Sequence, residues 1–284
     1  MRVLVIFHIF YENLAGYYLE KMRNIHSCQW DLLVTGNGLS ETLRQEIRKL
    51  KDDAVFMECP NVGYDVWPFI QAVKDTDPNK YDIIIKLHTK NEDSREFSLH
   101  GIVMDGAEWK KRMVDALLKD EKAFGMLLED FVRNPKLGIA YSQDLNFKSK
   151  GGNPEDGSML KSELDRLSIE RKSDMFCAGT MFAVRGAALE FLKREDISQD
   201  LFHQSGPSHG SSSMAHVYER LIPIAVVSSG YKLRLIPSSR LSAAKFALKA
   251  AIEPAIQWLV SVGYFGDDHN KGLKLFGHLF KLPK

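Results

Sequence analysis

The sequence predicts an α/β fold built on a mostly parallel, doubly wound sheet flanked by helices. Three observations carry that expectation. Apolar strand-like runs alternate with helix-period patterns through the first third of the chain. The fourth such run, centred on Ile83-Ile84-Ile85, has no polar alternation, as a strand covered by helices on both faces requires. The 284 residues, 44% hydrophobic and 26% charged, suffice for one large globular core.

Each element follows from its residues. Val3 to Ile9 is a continuous strand run, and Leu14, Tyr17, Tyr18, Met22 and Ile25 then recur at helical spacing. Trp30 to Thr35 is a second strand, closed by the turn Gly36-Asn37-Gly38. Ser40 caps a helix whose apolar face is Leu43, Ile47 and Leu50. Ala54 to Met57 is a third strand. A turn at Asn61-Val62-Gly63 leads into a helix with Asp65 at its cap and Pro68 in its first turn. Tyr81 to Leu87 completes a βαβαβαβ order, which implies parallel strands joined by right-handed crossovers.

The second half is less regular. Trp109 to Val132 reads as one long amphipathic helix or two shorter ones. Leu137 to Tyr141 is strand-like, Asn146 to Ser158 is a polar Gly/Pro/Ser stretch, and Met175 to Val184 is a further apolar strand. Ser198 to Ser213, rich in Gly, Ser and His with few residues able to pack, reads as a mobile loop over a site. A helix from Met214 and a strand from Tyr231 to Ile236 close a first domain, 1–238. The extension 239–284 reads as helical and basic: from Arg240 to Lys284 seven Lys and Arg face Glu253, Asp267 and Asp268. Interleaved with Phe276, Leu279 and Phe280, that excess suits an anionic membrane surface, or else a cap packed on the domain.

Composition excludes several classes. Thirty-eight Lys and Arg against 37 Asp and Glu leave a formal charge of +1, no footprint for nucleic acid. The three cysteines lack any CxxC spacing, which argues against a disulfide framework or zinc cage and for a reducing, cytoplasmic setting. The apolar start is too short and too soon interrupted by His8 for a signal peptide, and no run is long enough to span a bilayer.

Ligands of open parallel sheets bind beyond the carboxyl ends of the strands. Two polar constellations fall there: Asn61-Val62-Gly63-Tyr64-Asp65 and Lys86-Leu87-His88-Thr89-Lys90. Positive charge at a strand end suits a phosphorylated ligand, the alternative being a solvated end with snorkelling lysines. Gly63 admits close backbone approach, and Asp65 suits a ribose hydroxyl or base edge as well as a helix cap. Asp75-Thr76-Asp77 matches a metal-binding Asp-x-Asp string but precedes the fourth strand, at the wrong end of the sheet, and reads as a helix exit. Gly179 and Thr180, inside the apolar run from Phe176, mark close approach of a ligand or another backbone. His216 and Glu219 share a helix face with Arg220 within reach, which suits either general-base work or an internal Glu-Arg network.

Taken together, Phe7-His8-Ile9-Phe10-Tyr11, Asn61 to Asp65 with Pro68-Phe69, Tyr81-Asp82 leading to Lys86 to Lys90, Ala178 to Phe182, and Met214-Ala215-His216 with Glu219-Arg220-Leu221 resemble the rhamnan synthesis F family of bacterial polysaccharide glycosyltransferases over residues 3 to 236. The resemblance implies a GT-A-like, Rossmann-like sheet and a role in assembling rhamnose-containing or related polysaccharide, lipopolysaccharide O-antigen included. A more distant similarity is to inverting family 2 glycosyltransferases, through the Asn-x-Gly loop, Glu219 and Gly230-Tyr231-Lys232. Two departures stand out. His88-Thr89-Lys90 occupies the place of the metal-binding acidic motif, and Ser211-Ser212-Ser213 stands where an Asp-Gly-Thr-like string is expected.

The implied reaction moves a sugar from a nucleotide-diphosphate donor to a glycan or lipid-linked acceptor. Asn61, Gly63, Asp65, Lys86, His88, Thr89 and Lys90 would bind the donor, with the cations offsetting diphosphate charge. Gly179 and Thr180 would line the acceptor pocket, and Glu219 with His216 would activate the acceptor hydroxyl. Those cations would make a metal dispensable, and the alternative is Mn or Mg, with His88, Glu92 and Asp93 as its candidate ligands. The expected location is the cytoplasm, at the inner face of the plasma membrane if the tail binds there. The competing class is a non-catalytic nucleotide-sugar or glycan-binding scaffold of a polysaccharide assembly complex. A nucleotide hydrolase lacks its P-loop or nucleophile elbow here and ranks last.

Overall fold

Residues 1–92, 96–99, 102–149, 154–203, 213–239, 242–244, 246–248, 251–252, 272–275 and 278–281 are described in a computed structural model. The chain separates into two compact units, Met1–Ser238 and Ser239–Lys284.

The first strand, β1 (Arg2–Ile9), is buried on both faces. Val3, Val5, Phe7 and Ile9 enter one core and Leu4 and Ile6 the other, as a period of two dictates. In α1 (Ala15–Met22), Ala15, Tyr18, Leu19 and Met22 form one buried stripe. β2 (Gln29–Gly36) follows, and then α2 (Glu41–Leu50), started by Ser40, whose hydroxyl accepts the Leu43 N–H. A short edge strand, β3 (Val55–Glu58), leads to α3 (Val66–Asp75) and to β4 (Ile83–His88), every residue of which is buried.

A hairpin of β5 (Phe97–Leu99) and β6 (Ile102–Met104) precedes two helices, α4 (Gly106–Leu118) and α5 (Glu121–Arg133). The helical stretch left open by the sequence is thus two helices. Asp105 and Asp120 cap them, accepting the N–H groups of Glu108 and Ala123. β7 (Leu137–Ser142) is followed by β8 (Asn146–Lys148) and α6 (Pro154–Arg166), so the expected loose polar stretch from Asn146 is largely structured. Pro154 suits the first helical position, and Leu160, Leu164 and Leu167 recur on one buried face.

The expected strand from Met175 to Val184 is broken in two, β9 (Met175–Cys177) and β10 (Phe182–Arg185). Between them Gly179 and Thr180 hold φ of +89° and +52°, a left-handed pair that no strand can accommodate. The expected mobile loop after Ser198 also begins in order: α7 (Asp200–His203) buries Phe202 against Trp67 and Tyr218, each ring centroid 5.3 Å away. The rest of that loop, residues 204–212, lies outside the described residues. α8 (Met214–Ser228) and β11 (Lys232–Ile236) complete the first unit.

The seven-stranded sheet has the order β11-β7-β10-β4-β1-β2-β3. All pairings are parallel except those of β10, which runs antiparallel to both β4 and β7. The fold is therefore the mostly parallel, helix-flanked α/β sheet expected, with one inserted reversed strand. That reversal matters for the site: Phe182 pairs with Lys86, so the turn preceding β10 arrives at the carboxyl end of β4.

In the second unit, β12 (Gly272–Leu275) and β13 (His278–Lys281) form an antiparallel hairpin. The tail is thus not wholly helical as expected, because Leu273, Lys274 and Leu275 alternate with period two. Among the described residues no helix is long and apolar enough to cross a membrane.

Candidate functional site

The segments carrying Asn61 to Asp65, Lys86 to Lys90, Gly179-Thr180 and Glu219 gather at the carboxyl edge of the sheet. A cleft of about 220 Å³ opens beyond β1, β2 and β3, lined by His8, Phe10, Glu12, Asn37, Cys59 and Asn61 among others. Of the expected donor-binding residues, Asn61 faces this cleft. Gly63 lies against α3 and α7 instead: at φ +66° a Cβ would sit 2.7 Å from the Trp67 Cβ and 2.8 Å from the Phe202 ring.

Asp65, Lys86, His88 and Thr180 form a separate, packed cluster. Asp65 occupies the N-cap position of α3, yet its side chain makes no cap bond. Its carboxylate instead takes an ion pair from Lys86 and a hydrogen bond from the Thr180 hydroxyl. The Lys86 ammonium, 1% exposed, also donates to the Thr180 hydroxyl at 2.9 Å and lies 5.5 Å from the Phe69 ring centroid. Burial alone would push the Asp65 carboxyl up, but the surrounding basic side chains and the two hydrogen bonds hold it well below the usual carboxylate range. The expectation that Lys86 stands ready for a pyrophosphate is corrected: its charge is already matched by Asp65, and a buried cation without such a partner would be costly.

His88 is corrected in the same sense. Burial, with Lys86 and Lys90 nearby, pushes its imidazole down to about 3, against the opposing pull of Asp65. It is neutral at physiological pH and brings no positive charge, although its Nδ1 lies 3.4 Å from an Asp65 oxygen. His8, its cross-strand partner on β1, is pushed down to about 4 by burial and bonds Thr35 through Nδ1 at 3.1 Å. Thr89 serves the backbone: its hydroxyl accepts the N–H groups of Phe10 and Tyr11, at 2.9 and 3.0 Å, and pins the end of β1 to the end of β4. Lys90 extends over the Trp109 ring, 4.6 Å from its centroid. Among the described residues it has no carboxylate partner, in contrast to Lys86.

Among the described residues, those offered for a divalent cation do not fit one. Glu92 is ion-paired with Lys110, His88 is buried beside an ammonium, and Asp93 lies outside the described residues. Among the described residues no cluster of three His, Cys, Asp or Glu side chains could hold a metal. Asp77 of the Asp-x-Asp string caps the turn at Pro78–Lys80, accepting the Asn79 N–H.

At the N-terminal end of α8, Glu219 accepts the Gly179 N–H at 2.7 Å. Burial pushes its carboxyl up from the ordinary glutamate value, against the opposing pull of that N–H, His216 and Arg220. Gly179 suits its turn because φ is +89°, where a side chain is strained, and a Cβ there would also displace the Met113 sulfur 2.4 Å away. Ser213, in the string expected to carry an acid, is the N-cap of α8, its hydroxyl 2.8 Å from His216 Nδ1. Arg220 donates to the His216 carbonyl, its guanidinium lies 5.2 Å from the Phe176 ring centroid, and its charge opposes the upward push on Glu219. Cys177 is 1% exposed, its thiol pushed up by burial and bonded to the Met181 carbonyl.

Sequence reasoning missed the Asp65–Lys86–Thr180 triangle, whose members lie up to 115 positions apart. A partial signal exists in the paired motifs Gly63-Tyr64 and Gly179-Thr180. In both, a glycine and the next residue are left-handed, and the two turns meet through Asp65 and Thr180.

Fold and site define a mostly parallel α/β sheet protein whose polar groups gather at the carboxyl edge of the strands. The chain belongs to the rhamnan synthesis protein F family, whose profile matches residues 1–231. Two proteins called WxcX, from two strains of Xanthomonas campestris pv. campestris, are each 26% identical to it over 185 residues, 62% of this chain and 24% of theirs. The match thus spans about a quarter of the length of these curated relatives. Among solved structures, the mannosyltransferase PcManGT from Pyrobaculum calidifontis, in complex with GDP-Man and Mn²⁺, is 10% identical, with a TM-score of 0.39 over 94% of this chain and 65% of that one. Glucosyl-3-phosphoglycerate synthase from Mycobacterium tuberculosis is 13% identical, with a TM-score of 0.34 over 100% of this chain and 87% of that one. The WbbM bifunctional glycosyltransferase is 12% identical, with a TM-score of 0.39 over 83% of this chain and 38% of that one. Likenesses this shallow carry no functional weight.

Proposed function

We propose that residues 1–238 are a GT-A-like glycosyltransferase unit that moves a sugar from a nucleotide-diphosphate donor to a glycan or lipid-linked acceptor in the assembly of a cell-surface polysaccharide. Membership of a rhamnan synthesis family supports that context and makes rhamnose the first sugar to try. The basic tail would hold the unit against the anionic inner face of the plasma membrane.

The observation that carries the proposal is Glu219, a carboxylate of raised proton affinity fixed by the Gly179 N–H at the ligand edge of the sheet. Raised affinity makes a better base, and the fixed oxygen leaves the other for a substrate proton. Glu219 takes the proton of an acceptor hydroxyl, whose oxygen then bonds to the sugar's anomeric carbon. The bond from that carbon to the diphosphate breaks, and the electron pair leaves with the nucleoside diphosphate. Lys90 offsets the charge that develops there. Asn61 and the backbone at Gly63 contact the donor, Thr89 holds the strand ends that frame it, and the Asp65–Lys86–Thr180 triangle fixes the turn that presents Gly179.

Donor hydrolysis and transfer assays test this. Glu219→Gln is expected to keep donor binding and lose about 10²-fold or more in turnover, whereas Lys90→Ala weakens donor binding and turnover together. A thermal-shift panel of UDP, GDP and dTDP sugars, with and without manganese, reads binding directly. Near-normal turnover in both variants sinks the proposal, and a donor bound tightly without turnover on any acceptor assigns the chain to the scaffold class instead.

A further inference from the structure

Tyr64 is a large side chain, 45% exposed, on a backbone with φ of +54°. Bulky residues rarely adopt that conformation. Gly63 before it is also left-handed, so two consecutive left-handed steps leave the Tyr64 ring exposed while the next residue sends its carboxylate inward to Lys86 and Thr180. A glycine at position 64 would make the same turn without strain. An exposed aromatic held in a strained backbone beside a reactive group points to a role for the ring itself.

Its surroundings specify that role. The ring lies 6.0 Å from the His216 imidazole, centroid to centroid, with an interplanar angle of 54°. His216 sits in the first turn of α8, one turn before Glu219 on the same face. Among the described residues the Tyr64 hydroxyl has no hydrogen-bond partner. Tyr64 does not line the cleft beyond β1–β3, and its ring meets His216, one turn of α8 from the base.

We propose that Tyr64 is the aromatic platform of the acceptor subsite. It stacks on the apolar C–H face of a pyranose, with His216 as the second wall and the reacting hydroxyl turned toward Glu219. The inference rests on the transferase reading above. Its chemistry is that of aromatic faces, whose negative π surface meets the weakly positive C–H bonds of a sugar ring. The free phenol and the imidazole then exchange hydrogen bonds with the ring hydroxyls.

The test compares Tyr64→Phe, Tyr64→Ala and Tyr64→Gly, with methyl α-L-rhamnopyranoside as acceptor and water as the alternative acceptor in donor hydrolysis. The Ala and Gly variants are expected to raise the acceptor KM on the order of tenfold, with donor hydrolysis and donor-induced thermal shift unchanged and Phe close to wild type. The Gly variant relieves backbone strain, so a folding defect does not imitate the effect. An unchanged acceptor KM overturns the proposal, as does a parallel loss of donor hydrolysis, which would put the ring in the donor site. If the wild-type chain neither binds nor hydrolyses any nucleotide sugar, the transferase reading falls by itself. The ring is then judged by saturation-transfer NMR with the same rhamnoside: signal lost in Tyr64→Gly supports the platform, and signal equal to wild type removes it.

Discussion

Replacing His8 and His88 with asparagine is expected to flatten the acid side of the stability curve. Both imidazoles are buried and neutral in the native state, pushed down to about 4 and about 3 from an ordinary value of 6.5. The sign follows from linkage. A depressed histidine contributes stability that is fully present above 6.5 and is lost as pH falls toward its native value, because only the unfolded chain takes up the proton. Between pH 7 and 5 the unfolded histidine becomes almost fully charged while the native one stays neutral, which amounts to about 2 kcal/mol per residue and about 4 kcal/mol for the pair. That is a large share of the roughly 5–15 kcal/mol that holds a domain folded. Carboxylates held low, such as Glu12, Glu163 and Asp196, lose their contribution mainly below about pH 5. Glu219, held high, acts with the opposite sign, so the variant difference is the informative quantity. Urea denaturation at pH 7, 6 and 5, followed by tryptophan fluorescence, measures it: each single variant should remove about half of the excess loss and the double nearly all of it. A double variant that loses as much stability as wild type would falsify the assignment of neutral histidines and return His88 to the list of cations facing an anionic ligand.

Three further outcomes follow from the same geometry. Lys86→Met leaves the Asp65 carboxylate without its ammonium and should cost about 3 kcal/mol, while Lys86→Met with Asp65→Asn recovers much of it; a double-mutant cycle in urea with no coupling energy contradicts the buried pair. The pH profile of transfer should lose activity as pH falls through a Glu219 value above the ordinary 4.5, since only the ionised carboxylate accepts a proton; an acid limb at or below 4.5, or one that survives in Glu219→Gln, assigns the base elsewhere. Gly63→Ala combines a left-handed φ with Cβ contacts at 2.7 and 2.8 Å and should lower stability by about 2–4 kcal/mol in thermal denaturation; a loss under about 1 kcal/mol disproves the crowding.

The strands were legible because burial on both faces leaves a local mark. β1 and β4 read as uninterrupted apolar runs, and the structure divides their residues between two cores. β10 was hidden inside a longer apolar run, since periodicity says nothing of strand direction. The site motifs were legible as a set but not in their roles. Asp65 reads as a cap or a ligand contact in sequence and is the counter-ion of Lys86 in the fold.

By itself the sequence determined the α/β class, the order of the first four strands and the strand ends where polar groups gather, because each depends on neighbours within a few residues. Only the tertiary structure decided which charges survive at that edge. Lys86 is matched by Asp65 through folding, His88 loses its proton to burial, and Glu219 holds its proton more tightly for the same reason. Charge state depends on the dielectric surroundings and partners that distant segments supply, and no pattern along the chain encodes that directly.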